Sequence, residues 1–174
     1  MRTIIRVAGF ALLPVMAACS PGASEVTKID MHQISAEGVG ASMGTLNVTE
    51  TAQGLTISGQ LTNLTPGEHG FHIHEKPNCG PGEKDGKASA GIAAGSHLDP
   101  KATKKHAGPD GNGHLGDLPK LVATADGKIS VVAPHLKLAD VKSRALVIHE
   151  GGDNYSDTPE LGGGGKRIAC GVIE

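Results

Sequence analysis

Six histidines and one aspartate stand where a pair of metal ions could hold them: His72, His74, His97, His106, His114, Asp117 and His149. Imidazole is the ligand that suits both zinc and copper. His72 and His74 are two residues apart in an apolar run. On a strand they point to the same face, so both rings can reach one ion. Taken alone, that pair is equally the pattern of two surface histidines. His149 closes the run Ala145–Ile148 and can supply a third imidazole. The second set is fuller: His97, His106, His114 and Asp117 bring three imidazoles and a carboxylate into about twenty residues, a complete tetrahedral complement for zinc. Gly95, Gly108, Gly111, Gly113 and Gly116 let the backbone fold closely around an ion. Four protein ligands leave no open position for water, so this second site reads as structural rather than hydrolytic. A redox metal beside a structural one is the chemistry that the spacing points to.

Strands must position these groups. The chain has 174 residues, with 26 Gly, 10 Pro and only 2% aromatic residues. Gly and Pro are poor in helix interiors, and the core must be built from Val, Ile, Leu and Ala. Strand patterns lie at 28–34, 44–49, 55–61, 67–74, 145–149 and 167–173. Residues 118–125 and 128–133 flank Asp126-Gly127, the turn signal of a tight hairpin. About eight short strands with turn signals predict an all-β Greek-key barrel or sandwich, antiparallel, with long metal-binding loops. Residues 137–142 could hold one helical turn. The stretch 75–116 has little strand or helix pattern, and a loop of roughly forty residues must be functional, disordered or tied down.

The first nineteen residues read as a targeting segment: Arg2 and Arg6 precede a short apolar stretch, Val7–Ala18, too short to span a bilayer comfortably. The ending Val15-Met16-Ala17-Ala18-Cys19 resembles a bacterial lipoprotein processing site, in which Cys19 is acylated; ordinary cleavage nearby is the alternative. The expected organisation is therefore a signal peptide over 1–19, a linker over 20–27 and one domain over 28–174. An exported chain meets an oxidising compartment, so Cys79 and Cys170 can pair, two buried free thiols being the alternative. The formal charge is −2, more negative once Arg2 and Arg6 are removed. With no basic patch interleaved with aromatics, nucleic acid is excluded as a partner.

The segments Gly70–Glu75 (GFHIHE), Gly95–Pro100 (GSHLDP), His106–Pro109 (HAGP), Gly113–Pro119 (GHLGDLP), Val147–Asp153 (VIHEGGD) and Gly165–Ile173 (GKRIACGVI) resemble the copper/zinc superoxide dismutases, in particular their exported bacterial branch. The resemblance covers about residues 28–174. It implies His72, His74, His97 and His149 as copper ligands, and His97, His106, His114 and Asp117 as zinc ligands, with His97 bridging the two ions. It makes Asp153 the carboxylate that links His72 and His106 from behind, and Arg167 the guanidinium that orients the substrate anion. Arg167 and His97 become the catalytic residues. Cys79 and Cys170 match the family's disulfide.

The activity so implied is conversion of superoxide to O2 and H2O2 by copper alternating between Cu(II) and Cu(I), beside a structural zinc. The competing reading is an exported copper/zinc-binding or delivery protein without turnover; Arg167 argues against it, because a carrier needs no anion-orienting cation. A metal-stabilised adhesive sandwich would need no complete copper set. Superoxide is the expected substrate, and the expected location is the periplasm, with membrane attachment through an acylated Cys19. A second copy of the chain, as a homodimer, is a candidate partner. Lys76, Lys84, Lys87 and Lys166 are candidates for attracting the anion, or else ordinary solvated lysines. His69 reads as a packed structural histidine, and His32 and His135 as surface residues, recruitment of copper being the alternative for His32.

Overall fold

The computed structural model describes residues 25–174. The expected targeting segment, Cys19 and the first part of the linker lie outside the described residues. In chain order the strands are β1 (Val26–Ser35), β2 (Gly38–Thr51), β3 (Gly54–Gln60), β4 (Gly67–His69), β5 (Phe71–His74), β6 (Gly82–Lys84), β7 (Lys87–Ser89), β8 (Leu121–Ala123), β9 (Lys128–Ala133), β10 (Arg144–His149) and β11 (Arg167–Ile173). The one α-helix among the described residues, α1 (Leu138–Val141), occupies the expected helical turn.

Seven strands form one antiparallel sheet in the order β5-β10-β11-β1-β2-β3-β9, and β4 pairs with β8. Because β8 lies against β9 and β4 runs into β5, the sheet curls round on itself. Counting β4–β5 as one interrupted strand, the ring has eight members, as the sequence predicts. In space β3 neighbours β9 rather than β4, the crossed connection of a Greek key. The chain is an all-β barrel.

Alternation sets the inside of the barrel. Ile129, Val131 and Ala133 of β9 are buried while Lys128, Ser130 and Val132 face outward. Ile29, Met31, Leu46, Val48, Leu55, Ile57, Phe71, Ile73, Leu146, Ile148 and Ile173 complete an aliphatic core with one phenylalanine. β10, like β5, is buried on both faces. Leu146 and Ile148 point into the barrel, whereas Ala145 and Val147 pack with Ile34, Ala94 and Cys170 in a second cluster outside it. The unbroken apolar run before His149 thus has a physical cause: the long loop 75–116 covers the outer face of that strand.

Cys79 and Cys170 are joined by a disulfide, with a sequence separation of 91 residues. In the chain-entropy account, closing a loop of that size stabilises the fold by about 4–5 kcal/mol. The bridge fixes the start of the loop to β11, beside the second cluster.

Several boundaries differ from expectation. β1 starts at Val26 rather than 28, because β2 is long enough to pair Val26 with Thr49 and Thr27 with Val48. The expected strand 67–74 is broken at Gly70, whose N–H donates to the Gly151 carbonyl and whose carbonyl accepts from His149 N–H, at 2.7 and 2.9 Å. The expected hairpin between 118–125 and 128–133 does not form a ladder. Its turn closes, Gly127 N–H donating to Thr124 O, but the Gly127 carbonyl accepts from Leu61 N–H at the end of β3. That docking sends β9 to β3 and leaves β8 to β4. The long loop also contains a hairpin, β6–β7, and a single 3-10 turn at Ile92–Ala94.

Candidate metal centre

β5 is the rail on which the site is built. Phe71 and Ile73 face the barrel core, so His72 and His74 share the opposite face and are fully buried under the loop. The loop is pinned to this strand by two isolated bridges, His74 opposite His97 and His72 opposite Asp117. Leu98 N–H donates to Ile73 O at 2.8 Å, Ile73 N–H to Gly116 O at 2.9 Å, and Gly116 N–H to Leu98 O at 2.9 Å. This approach requires glycine at 116, because a Cβ there would lie 2.2 Å from the Ile73 carbonyl oxygen. Backbone pairing brings the loop's His97 and Asp117 beside the strand's His72 and His74.

β10 delivers His149 next to them. Four ligand atoms, one each from His72, His74, His97 and His149, lie within 4.8 Å of one another, as do four from His72, His97, His106 and Asp117. The rings of His72 and His97 stack with centroids 3.9 Å apart. His114 stands at the rim of the second group, its Nδ1 3.4 Å from Asp117 Oδ1. All seven residues singled out in the sequence converge, and Asp153 lies behind them.

The hydrogen bonds define which nitrogen each ring turns inward. Asp153 Oδ2 is 2.8 Å from His72 Nε2 and Asp153 Oδ1 is 2.7 Å from His106 Nε2. His74 Nδ1–H donates to Gly95 O at 3.0 Å, and His149 Nδ1–H to Gly165 O at 3.3 Å. Each of these bonds keeps the proton on the outer nitrogen and leaves a lone pair on the inner one. His97 Nδ1 lies 2.9 Å from Asp117 Oδ1, and its Nε2 is buried without a hydrogen-bond partner.

Among the described residues, eight buried side-chain polar atoms lack a hydrogen-bond partner, and six of them are ring nitrogens of His72, His74, His97, His106, His114 and His149. Buried polar atoms are rarely left unpaired, because the desolvation cost is not returned. Six such atoms aimed at two common points fit metal ions that would satisfy them all. Four neutral imidazoles suit copper, and three imidazoles with a carboxylate suit zinc.

Electrostatics prepares the same set. Burial pushes the His97 ring down to about 3 and holds His74 and His149 well below the usual imidazole range, with the Arg167 cation adding to the effect at His74. Burial also lowers His72, against the opposing pull of Asp153. A ring nitrogen must be unprotonated to ligate, so neutral His72, His74 and His149 each offer a free lone pair, whereas His97 would have to give up its remaining N–H proton to ligate through both nitrogens. His106 differs: burial opposes its charge, but the nearby carboxylates of Asp117 and Asp153 prevail and raise it to about 9. Burial would raise both carboxyl groups, yet the surrounding histidines hold Asp117 and Asp153 well below the ordinary carboxylate range.

The neighbouring cavity, about 1060 Å³, is lined by His149 and Arg167, with Lys84 and Lys166 as further cations and Glu75, Glu83 and Glu160 as acids. Lys76 and Lys87 are not among its lining residues. Arg167 is aimed by two main-chain carbonyls: Nη1–H donates to Gly91 O at 2.5 Å and Nη2–H to Gly95 O at 2.8 Å. Both carbonyls belong to the disulfide-anchored loop, so the loop and the guanidinium position one another.

Some groups are visible only in the folded chain. Glu75 Oε2 accepts from Ser96 N–H, and Asp157 Oδ1 from His106 N–H, each bracing a ligand-bearing segment. His69, expected as structural, lies with Nδ1 2.7 Å from the His149 carbonyl and Nε2 2.8 Å from that of Thr65. His135, expected on the surface, is half-buried with Nε2 3.2 Å from the Leu115 carbonyl. His32, also expected on the surface, is half-buried on β1 with Nδ1 3.3 Å from Gly40 O. Isolated acids and histidines far apart in sequence carry no signal for such contacts.

Residues 42–173 match the family model described as copper/zinc superoxide dismutase. The chain is 56% identical over 158 residues to the superoxide dismutase [Cu-Zn] of Brucella abortus, covering 88% of this chain and 91% of the relative. It is 56% identical over 164 residues to that of Escherichia coli K12, covering 92% and 94%. Its fold superposes on the solution structure of the monomeric copper, zinc superoxide dismutase from Salmonella enterica with a TM-score of 0.77, at 55% identity and covering 86% of this chain and all of that one. A barrel with two adjoining donor sets and a match spanning most of the sequence lead to one conclusion: this chain belongs to the copper/zinc superoxide dismutase family.

Proposed function

We propose that the chain is an exported superoxide dismutase, converting two superoxide anions and two protons to O2 and H2O2. The observation that carries this reading is the convergence of six unpaired ring nitrogens on two points that share His97, beside a cavity with an inward guanidinium. His72 Nδ1, His74 Nε2, His97 Nε2 and His149 Nε2 would hold copper. His97 Nδ1, His106, His114 and Asp117 would hold zinc. Bound copper supplies the one-electron exchange that the reaction needs.

The chain's own groups do the rest. Arg167 is a fixed cation with five N–H donors, of which the Gly91 and Gly95 carbonyls occupy two groups and fix the plane. An anion entering the cavity is oriented beside His149 by the remaining donors. Peroxide must leave with two protons, and His97 Nε2 is the ring nitrogen placed to hold one and deliver it. His97 Nδ1, on the Asp117 side, keeps the ring aimed meanwhile. Asp153 fixes His72 and His106 together from behind. Lys84 and Lys166 line the entrance and add positive potential against a negative net charge.

The test is superoxide decay in the presence of the copper- and zinc-loaded protein. Decay no faster than with an equal amount of free copper would return the delivery-protein reading. Spectra of two isolated ions with no common ligand would remove the bridging role of His97.

Location is read from the segment 1–19: export to the periplasm, then acylation of Cys19, with a domain from residue 26 onward. One acyl chain binds membranes only marginally, so firm anchoring requires a multiply acylated Cys19. Cys19→Ala is expected to move the protein from the membrane to the soluble fraction on cell fractionation; an unchanged distribution removes the anchor. A second copy of the chain as a partner rests on the resemblance alone.

A further inference from the structure

Four of the six ligand rings are held from behind. His72 and His106 have Asp153, His74 has the Gly95 carbonyl, and His149 has the Gly165 carbonyl. His114 has no such second hydrogen bond among the described residues. It is also less deeply set, its side chain 10% exposed where those of His72, His97 and His106 are fully covered. Its orientation must therefore come through its backbone. The turn 114–117 is tied to its own loop, His114 N–H donating to Lys105 O at 2.9 Å and Gly116 N–H to Leu98 O at 2.9 Å. A contact from outside the loop is His135, whose Nε2–H donates to the Leu115 carbonyl at 3.2 Å.

His135 stands on firm ground. It follows β9, and the next residue, Leu136, is buried in the main core and donates to Ala133 O at 3.2 Å. Leu115 packs against the same core. A carbonyl only accepts, so the His135 proton sits on Nε2, and Nδ1 is left buried without a partner. An apolar side chain would fill this position without that cost, so the polar ring is explained by the bond it gives to the 114–117 turn.

We propose that His135 is a positioning residue for the zinc half of the site. Through the Leu115 carbonyl it sets His114 against Asp117, and so governs how firmly zinc is kept. The inference rests on the reading of His114 as a zinc ligand.

The experiment follows transfer of zinc and of copper from the fully metallated full chain to a chromogenic chelator, for the unaltered protein and for His135→Ala, His135→Gln and His114→Ala. His135→Ala is expected to release zinc on the order of tenfold faster, the lower range for loss of a group that braces a ligand, with copper release unchanged. His135→Gln keeps an N–H donor of similar reach and is expected to restore slow release. If His114→Ala loses zinc but His135→Ala keeps it, the positioning role is wrong. If His135→Gln behaves as His135→Ala, or copper leaves as fast as zinc, the residue acts by packing and the proposal fails. If His114→Ala itself keeps zinc, the ligand reading fails first and takes this role with it.

Discussion

Arg167→Ala is expected to lower superoxide turnover by about two orders of magnitude, the usual effect of removing one donor aimed at a reacting anion, with copper and zinc content unchanged. The guanidinium touches neither donor set through a hydrogen bond; its two bonds go to the Gly91 and Gly95 carbonyls. Its loss should leave the metals in place and remove the cation that orients the substrate. Burial lowers the Arg167 pKa, yet a guanidinium keeps its proton, so alanine discards both a full charge and its fixed position. Arg167→Lys separates the two contributions: a lysine keeps the charge but lacks the planar fork that spans two carbonyls. Stopped-flow superoxide decay and metal analysis on the same samples decide the matter. Metal loss in parallel with activity would mean that Arg167 serves the loop rather than the anion.

The second large effect is expected at a residue that binds neither ion. Asp153→Ala should weaken retention of both copper and zinc by about 10- to 100-fold, as found for carboxylates that brace ligating histidines. Asp153 accepts from His72 on one oxygen and His106 on the other, and Tyr155 N–H donates to Oδ1 as well. Removing it leaves buried N–H groups unpaired, at about 1–3 kcal/mol each, and frees two rings to turn. Space around it is tight: Gly162 has φ +73° and a Cβ there would lie 2.0 Å from Asp153 Oδ1. Asp153→Asn offers a single oxygen acceptor and should fall between the two. Competition against graded chelators reads both metals separately. Loss of only one ion would show that the carboxylate does not couple the two halves.

These expectations draw unequally on sequence and structure. The strand alternation of β9, the buried run of β10 and the His72/His74 pair on one face of β5 are local patterns, legible because side-chain direction follows the strand period of two. The hairpin across Asp126-Gly127 shows the limit of such patterns. Its turn chemistry was readable, but which strand each arm joins depended on the Leu61–Gly127 contact, sixty-six residues apart in the chain. The break at Gly70 escaped for a similar reason, since it is fixed by what that residue meets across the barrel, whereas the β6–β7 hairpin is local, its three-residue arms too short to show a strand period.

What the amino-acid sequence determined alone was the donor set: six imidazoles and a carboxylate at spacings that strands and a glycine-rich loop can bring to two ions, with Cys79 in that loop and Arg167 and Cys170 downstream. Residue type fixes which atoms can ligate and which period a strand must have, and both are local properties. Tertiary structure decided which nitrogen of each ring points inward, how the loop registers on β5, and which groups brace the ligands from behind. Those are matters of hydrogen bonding between segments as much as 81 residues apart. They are set by backbone pairing and burial across the barrel, which no spacing in the chain encodes.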